Sequence, residues 1–214
     1  MENKSINRTC IGLCGIFGSY ILGNLLIYLR GALGFGYSFY MHNIMWIILM
    51  AVESASCFYM ASDKQVFRNG LGRIATRVLG ILYAVYVLSN ILWMIKGVGI
   101  YSFLGEYASM VDSFILLCLI TCMVLNLKVW TSIKISAIVA FLIMLATSVY
   151  GFVYFKYSGY EDFDRFQSIN QTLNFSFVLF SIVTVVLALV WRNNRLSSNN
   201  KANIQASVLP GRKH

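Results

Sequence analysis

Six apolar stretches, each roughly 20 residues long, follow one another along this chain of 214 residues. A stretch of that length matches the hydrocarbon thickness of a bilayer, where each unpaired backbone amide is costly and only helices or closed barrels can span. The stretches show no alternation of polar and apolar residues, which favours helices. Charged residues make up 12% of the chain, about half the share in an average soluble domain. We therefore predict an all-α, polytopic integral membrane protein with six transmembrane helices.

Charged residues bound the apolar stretches and give their approximate limits. The predicted spans cover residues 9–29, 41–62, 78–95, 107–127, 135–155 and 172–191. The first span follows two basic residues, as a secretory signal does, but it is longer than a signal core of about 7–15 residues and is expected to be retained. Residues 1–191 then form one transmembrane domain. Residues 192–214, rich in Asn, Ser, Lys and Arg, are expected to form a flexible basic cytoplasmic tail.

The basic residues alternate between the two sides of this topology. The first, third, fifth and last of the non-spanning segments hold 13 of the 17 Lys and Arg residues, and the other side holds Arg30, Lys96, Lys156 and Arg165. The positive-inside rule therefore predicts that both termini are cytoplasmic. The same rule accounts for the net charge of +9 without a nucleic-acid partner. The expected partner is the lipid bilayer of the cell membrane, plasma or inner, with a homo-oligomer or other membrane subunits as further candidates.

Glu53 is the acidic residue that lies deepest in a predicted span. At about 1.5 Å per helical residue it lies roughly 18 Å from the external start of the second span, close to the midplane. A carboxylate there must face the bundle or a wet cavity, pair with a cation, or stay protonated. Two interpretations remain open: a site that couples to a proton or cation, and a neutral acid that hydrogen-bonds a neighbouring helix for packing.

Three further polar residues belong to the candidate substrate or ion site. Asn90 in the third span has a depth within about one turn of Glu53, and Asn24 in the first span lies closer to the exterior. Each asparagine could equally serve as an interhelical hydrogen bond. Asp112 lies only about 8 Å inside the external boundary, so its carboxylate could reach the lipid headgroups instead.

Redox, metal and catalytic signals are weak. Cys10 with Cys14 and Cys118 with Cys122 are spaced four residues apart on predicted helices, which would fit a thiol relay or metal site. Their spacing is not the Cys-x-x-Cys redox pattern, neither His lies at that depth, and buried cysteine commonly packs as a small apolar residue. We find no catalytic or phosphate-binding motif. No cofactor, metal site or catalytic residue is therefore predicted.

These observations leave several classes of function open. The leading hypothesis is a small multi-pass permease or ion-coupled carrier for a small solute, because Glu53, Asn90 and Asn24 have compatible depths. The alternative is a non-transporting membrane component: a sensor, an immunity factor or an assembly subunit of a larger complex. Short loops and a basic tail favour this alternative. A membrane enzyme that uses the cysteines comes third.

Overall fold

The computed structural model describes residues 2–33, 39–97, 107–157 and 162–208. They form six long helices, each long and apolar enough to cross a membrane. The helices are α1 Glu2–Leu33, α2 Phe39–Ala61, α3 Gly70–Lys96, α4 Ala108–Asn126, α5 Thr131–Tyr157 and α6 Phe163–Val208. A short 3₁₀ turn, Lys64–Val66, lies between α2 and α3, and no strand occurs in these ranges. The predicted all-α fold with six membrane-spanning helices is confirmed.

The sixth helix extends into the segment predicted as the tail. The helix of α6 continues past residue 191 as far as Val208, and residues 209–214 lie outside the described part. Two hydrogen bonds hold the start of this extension against α1: Arg192 Nε donates to Asn7 Oδ1 at 2.6 Å, and Asn199 Nδ2 donates to Asn3 Oδ1 at 3.0 Å. The only proline, Pro210, comes after the helix. A polar composition therefore did not stop this helix, because no breaker precedes Pro210 and α1 supplies partners.

The helices are arranged as a ring in chain order. Each packs against the next, and α6 packs back against α1 and closes the ring. The start of α1 and the extension of α6 consequently lie at the same end of the bundle. We call this the terminal end; it also holds the α2–α3 and α4–α5 connections. The opposite end, where α1, α3 and α5 finish, is called the far end.

The outside of the ring is apolar. Along α3 large exposed residues recur every three or four positions, while Leu79 and Tyr83 on the other face are buried; the exposed series is Leu71, Ile74, Val78, Ile81, Val85 and Leu88. That spacing gives one continuous helix face of large apolar side chains. In water such a surface would be an aggregation liability, but in a bilayer it meets lipid tails. This apolar outer surface is therefore the one expected of a protein embedded in a membrane.

The terminal half of the bundle is densely packed. Its centre is filled by side chains that are fully buried, such as Leu13 of α1, Ile120 and Met123 of α4 and Ile133 of α5. Glycines let α1 approach α2 closely: a Cβ built on Gly15 would overlap the Ser56 side chain. At the terminal end itself a separate cavity of about 600 Å³ remains, lined among others by Ser5, Thr9, Val66 and Trp191.

The two connections at the terminal end are joined to each other. Arg68 N donates to Asn126 O at 2.7 Å and Lys128 N donates to Val66 O at 3.0 Å, which makes Phe67 and Leu127 an antiparallel bridge. At each of these two connections a basic side chain caps the C-terminus of the preceding helix. Arg73 Nε of α3 donates to the last carbonyl of α2, that of Ala61, at 2.8 Å.

Lys134 of α5 plays the corresponding part for α4. Its Nζ donates to Leu125 O near the C-terminus of α4 at 2.7 Å, although the residue is only 6% exposed. A basic side chain at this place satisfies a carbonyl that the helix leaves without an amide partner and complements the negative end of the helix dipole. A backbone bridge and two charged caps therefore hold the two connections together at the terminal end.

Candidate functional site

A cavity of about 330 Å³ lies within the ring between α1, α2, α3, α4 and α5. It is lined by Tyr20 of α1, by Asn43, Trp46, Met50 and Glu53 of α2, by Tyr83, Tyr86 and Asn90 of α3, by Asp112 and Leu116 of α4, and by Met144 of α5. This volume is at the lower end of the range of roughly 300–1,000 Å³ for small-molecule sites.

Helical periodicity explains why these residues meet. On α2 the lining residues Asn43, Trp46, Met50 and Glu53 are three, four and three positions apart, so they share one face. On α3 the lining residues follow the same rule from Tyr83 to Asn90. Asn43 and Glu53 are ten positions apart, which is about 15 Å along the helix axis. The cavity therefore extends from near the far end to the depth of Glu53.

Glu53 is at the deep end of the cavity wall on α2 and is only 2% exposed. Among the described residues, none donates a hydrogen bond or forms an ion pair with its carboxyl group. The next residue, Ser54, does bond to a neighbouring helix, since its Oγ donates to Gly80 O at 2.8 Å. The hydrogen bond to a neighbouring helix that a neutral acid would make is thus made by Ser54, whereas the carboxyl group of Glu53 adjoins the cavity.

Two tyrosines of the cavity wall, one on α1 and one on α3, meet at this depth. The hydroxyl oxygens of Tyr20 and Tyr83 are 2.9 Å apart and share a hydrogen bond. The ring of Tyr20 packs edge-on against Phe141 and Phe177, with centroid distances of 5.4 and 5.5 Å. These aromatic contacts connect the cavity to the buried core below it.

Asp112 and Asn90 lie on the α3 and α4 side of the cavity. The hydroxyl of Tyr86 donates to Asp112 Oδ1. Asn90 Nδ2 donates to Tyr86 O at 2.8 Å and lies 3.7 Å from Met50 Sδ. Asp112 was expected either in the site or at the headgroups, and the structure places it, half-buried, in the cavity wall.

Asn24 is the one predicted site residue that does not line this cavity. Its Nδ2 donates to Tyr20 O at 2.9 Å, one turn back on its own helix. Asn43, which the sequence did not single out, takes a place in the wall instead. It is 8% exposed, and its side-chain nitrogen has no hydrogen-bond partner among the described residues.

The cavity wall has an acidic balance. Of the residues whose side chains the structure describes, the wall contains the carboxyl groups of Glu53 and Asp112 and no Lys, Arg or His side chain. The rest of the described wall consists of four aromatic residues, two methionines, one leucine and two asparagines.

The cysteines lie outside this cavity. Cys10 and Cys14 have their sulfur atoms 3.9 Å apart within α1. In the part of the chain that the structure describes, no three His, Cys, Asp or Glu residues gather as a metal site requires.

Comparisons of the chain with protein families, with curated proteins and with solved structures gave no match.

Proposed function

We propose that this protein is a small membrane carrier in the cell membrane, that the cavity is its solute site and that Glu53 couples solute movement to a proton or cation. The observation that carries the proposal is Glu53, a residue that is 2% exposed and whose carboxyl group is unpartnered among the described residues but adjoins a cavity. An intramembrane acid that serves only packing is expected to have a hydrogen-bond partner. An acid that exchanges protons or ions needs access to a cavity instead.

The distribution of open volume also supports a carrier. The Glu53 cavity lies in the half of the bundle toward the far end, and a second cavity of about 600 Å³ lies at the terminal end, with packed core residues such as Leu13 and Met123 between the two ends. A carrier requires a midplane site that is open to one side at a time. In this proposal the structure is the state open toward the far end, and the terminal end opens in the alternate state.

Flux in liposomes tests this proposal. Purified protein is reconstituted with a pH-sensitive dye inside the vesicles, and proton movement is followed while small solutes are added outside. We expect solute-dependent flux that Glu53→Gln abolishes with unchanged elution and thermal stability. The matched control is Asp63→Asn, which removes a carboxylate that pairs with Arg8 at 3.6 Å at the terminal end. Equal flux in wild-type protein and Glu53→Gln would exclude Glu53 from the mechanism.

A non-transporting component of a larger complex is the second candidate, and the extension of α6 favours it. This helix continues beyond Trp191, which is 3% exposed, to Val208, and carries Arg192, Arg195 and Lys201. A basic helix at the terminal end is suited to an acidic partner or anionic lipid. Purification in mild detergent distinguishes the two candidates, because a stoichiometric partner protein favours a complex subunit and a homogeneous preparation favours a carrier.

A further inference from the structure

We propose that the ligand of the cavity is a small organic cation, a protonated amine or quaternary ammonium with an apolar body, bound at Glu53; this proposal rests on the carrier function above. It depends on the charge of the wall, the character of its surface and the order of the two carboxyl groups along the cavity. Each of these features restricts the chemistry of the ligand independently.

Charge restricts the sign of the ligand. Among the described residues the wall carries two carboxyl groups and no basic side chain, so an anion would meet only like charge from them. The Glu53 carboxylate has no compensating cation among the described residues. A buried carboxylate without a partner is strongly unfavourable, and a bound ligand cation removes that penalty.

The surface of the wall distinguishes an organic cation from a metal ion. Hard cations such as Ca²⁺ take six or more oxygen ligands, whereas this wall presents mainly the rings of Tyr20, Trp46, Tyr83 and Tyr86 with Met50. Aromatic faces attract ammonium groups through the ring quadrupole and bury apolar carbon. A cation with a hydrocarbon body satisfies both parts of this surface.

The two carboxyl groups lie at different depths. Asp112 is four residues into α4 from the far end, about 6 Å along the axis, and Glu53 is fourteen residues into α2, about 21 Å along its axis. Tyr86 already donates to Asp112. A cation that enters from the far end therefore meets Asp112 first and the unpartnered Glu53 last, which makes Glu53 the anchoring residue.

Direct binding to the full-length protein in detergent tests this proposal without any transport step. The probes are three molecules of similar size that differ in charge: phenethylammonium, 2-phenylethanol and phenylacetate, each measured by isothermal titration calorimetry, with benzyltrimethylammonium as the quaternary case. We expect binding of the two cations alone. Glu53→Gln should weaken phenethylammonium binding by about 100-fold or more, and Trp46→Leu by about fivefold.

Control variants keep the result interpretable. Asp63→Asn removes a carboxylate outside the cavity and should leave affinity unchanged. Because Glu53→Gln could fail to fold, Trp46→Leu and competition by NaCl or CaCl₂ on the wild-type protein provide independent readouts.

Equal binding of 2-phenylethanol or phenylacetate, displacement by stoichiometric Na⁺ or Ca²⁺, or no cation binding by folded protein would overturn the organic-cation site. Cation binding that depends on Glu53 without flux in liposomes would instead overturn the carrier function and leave the site in place.

Discussion

The hydroxyl groups of Tyr20 and Tyr83 lie 2.9 Å apart and join α1 to α3 across the base of the cavity. Tyr83 is 1% exposed, and the ring of Tyr20 packs on two phenylalanines. These two helices are not neighbours along the chain. The pair therefore fixes the width of the cavity at the depth of Glu53.

Removal of both hydroxyl groups of this pair should destabilise the protein by less than the sum of the two single removals. Tyr20→Phe and Tyr83→Phe each leave a polar group without its partner, so each should lower the free energy of unfolding by about 1–2 kcal/mol. The double variant should lose less than the sum, with a coupling of about 1 kcal/mol. Reversible unfolding in mixed micelles measures the four proteins; strictly additive losses would show that the hydrogen bond contributes nothing.

The close approach of α1 to α2 predicts different effects at two glycines. A Cβ on Gly15 would overlap Ser56, whereas a Cβ on Gly18 would meet nothing within 4 Å. Gly15→Ala should therefore destabilise the fold, because the overlap outweighs the gain of about 1 kcal/mol in helix propensity from Gly to Ala. Gly18→Ala, the matched control, should be neutral or stabilising. The apparent melting temperature in detergent separates the two, and an equal rise in both variants would contradict the packing.

Depth along a predicted helix selects three of the residues that line the cavity. Counting residues at 1.5 Å each placed Glu53 near the midplane with Asn90 close by, and the structure brings these two residues and Asp112 to one cavity. Depth says nothing about the direction in which a side chain points. Asn24 has a compatible depth, but its amide turns back to Tyr20 O and stays out of the wall.

The aromatic residues of the wall were not predicted, because the prediction used depth and did not follow the helix face on which Glu53 and Asn90 lie. Trp46 lies seven positions before Glu53, and Tyr83 lies seven before Asn90, so helical periodicity places each of them on the face of a polar residue already identified. That signal was present in the sequence. The contribution of Tyr20 was not, because it depends on which helices adjoin in the ring, and pairing between distant segments is not encoded in local spacing.

The cap on α4 predicts that a buried lysine stabilises the terminal end. Lys134 donates to Leu125 O at 2.7 Å and is 6% exposed, while the side chain of Lys128 in the same connection is exposed. Lys134→Met removes a charge-assisted hydrogen bond and should lower the free energy of unfolding by about 1.5–3 kcal/mol. Lys128→Met should change it little. Equal effects of the two variants would contradict a specific role for the cap.

The bridge at the terminal end offers a test of alternating access. Phe67 and Leu127 are flanked by two backbone hydrogen bonds, as in an antiparallel pair with Cα atoms about 4.5 Å apart, which suits a disulfide. If the terminal end opens during transport, oxidation of the Phe67→Cys/Leu127→Cys variant should stop flux, and reduction should restore it. Each single cysteine variant under the same oxidant controls for the native thiols. Full flux in the cross-linked protein would mean that this connection does not move.

The direction in which the cavity opens depends on orientation, which the charge distribution predicts. Both ends of the described chain lie at the terminal end, and most of the Lys and Arg residues lie there in the predicted topology. The terminal end should therefore face the cytoplasm. Lys64→Cys at this end should react with a membrane-impermeant maleimide only in opened cells, and Asp164→Cys at the far end should react in intact cells. The wild-type protein controls for its five cysteines. Reversed labelling would mean that the cavity opens inward, and the proposed cation would then enter from the cytoplasm.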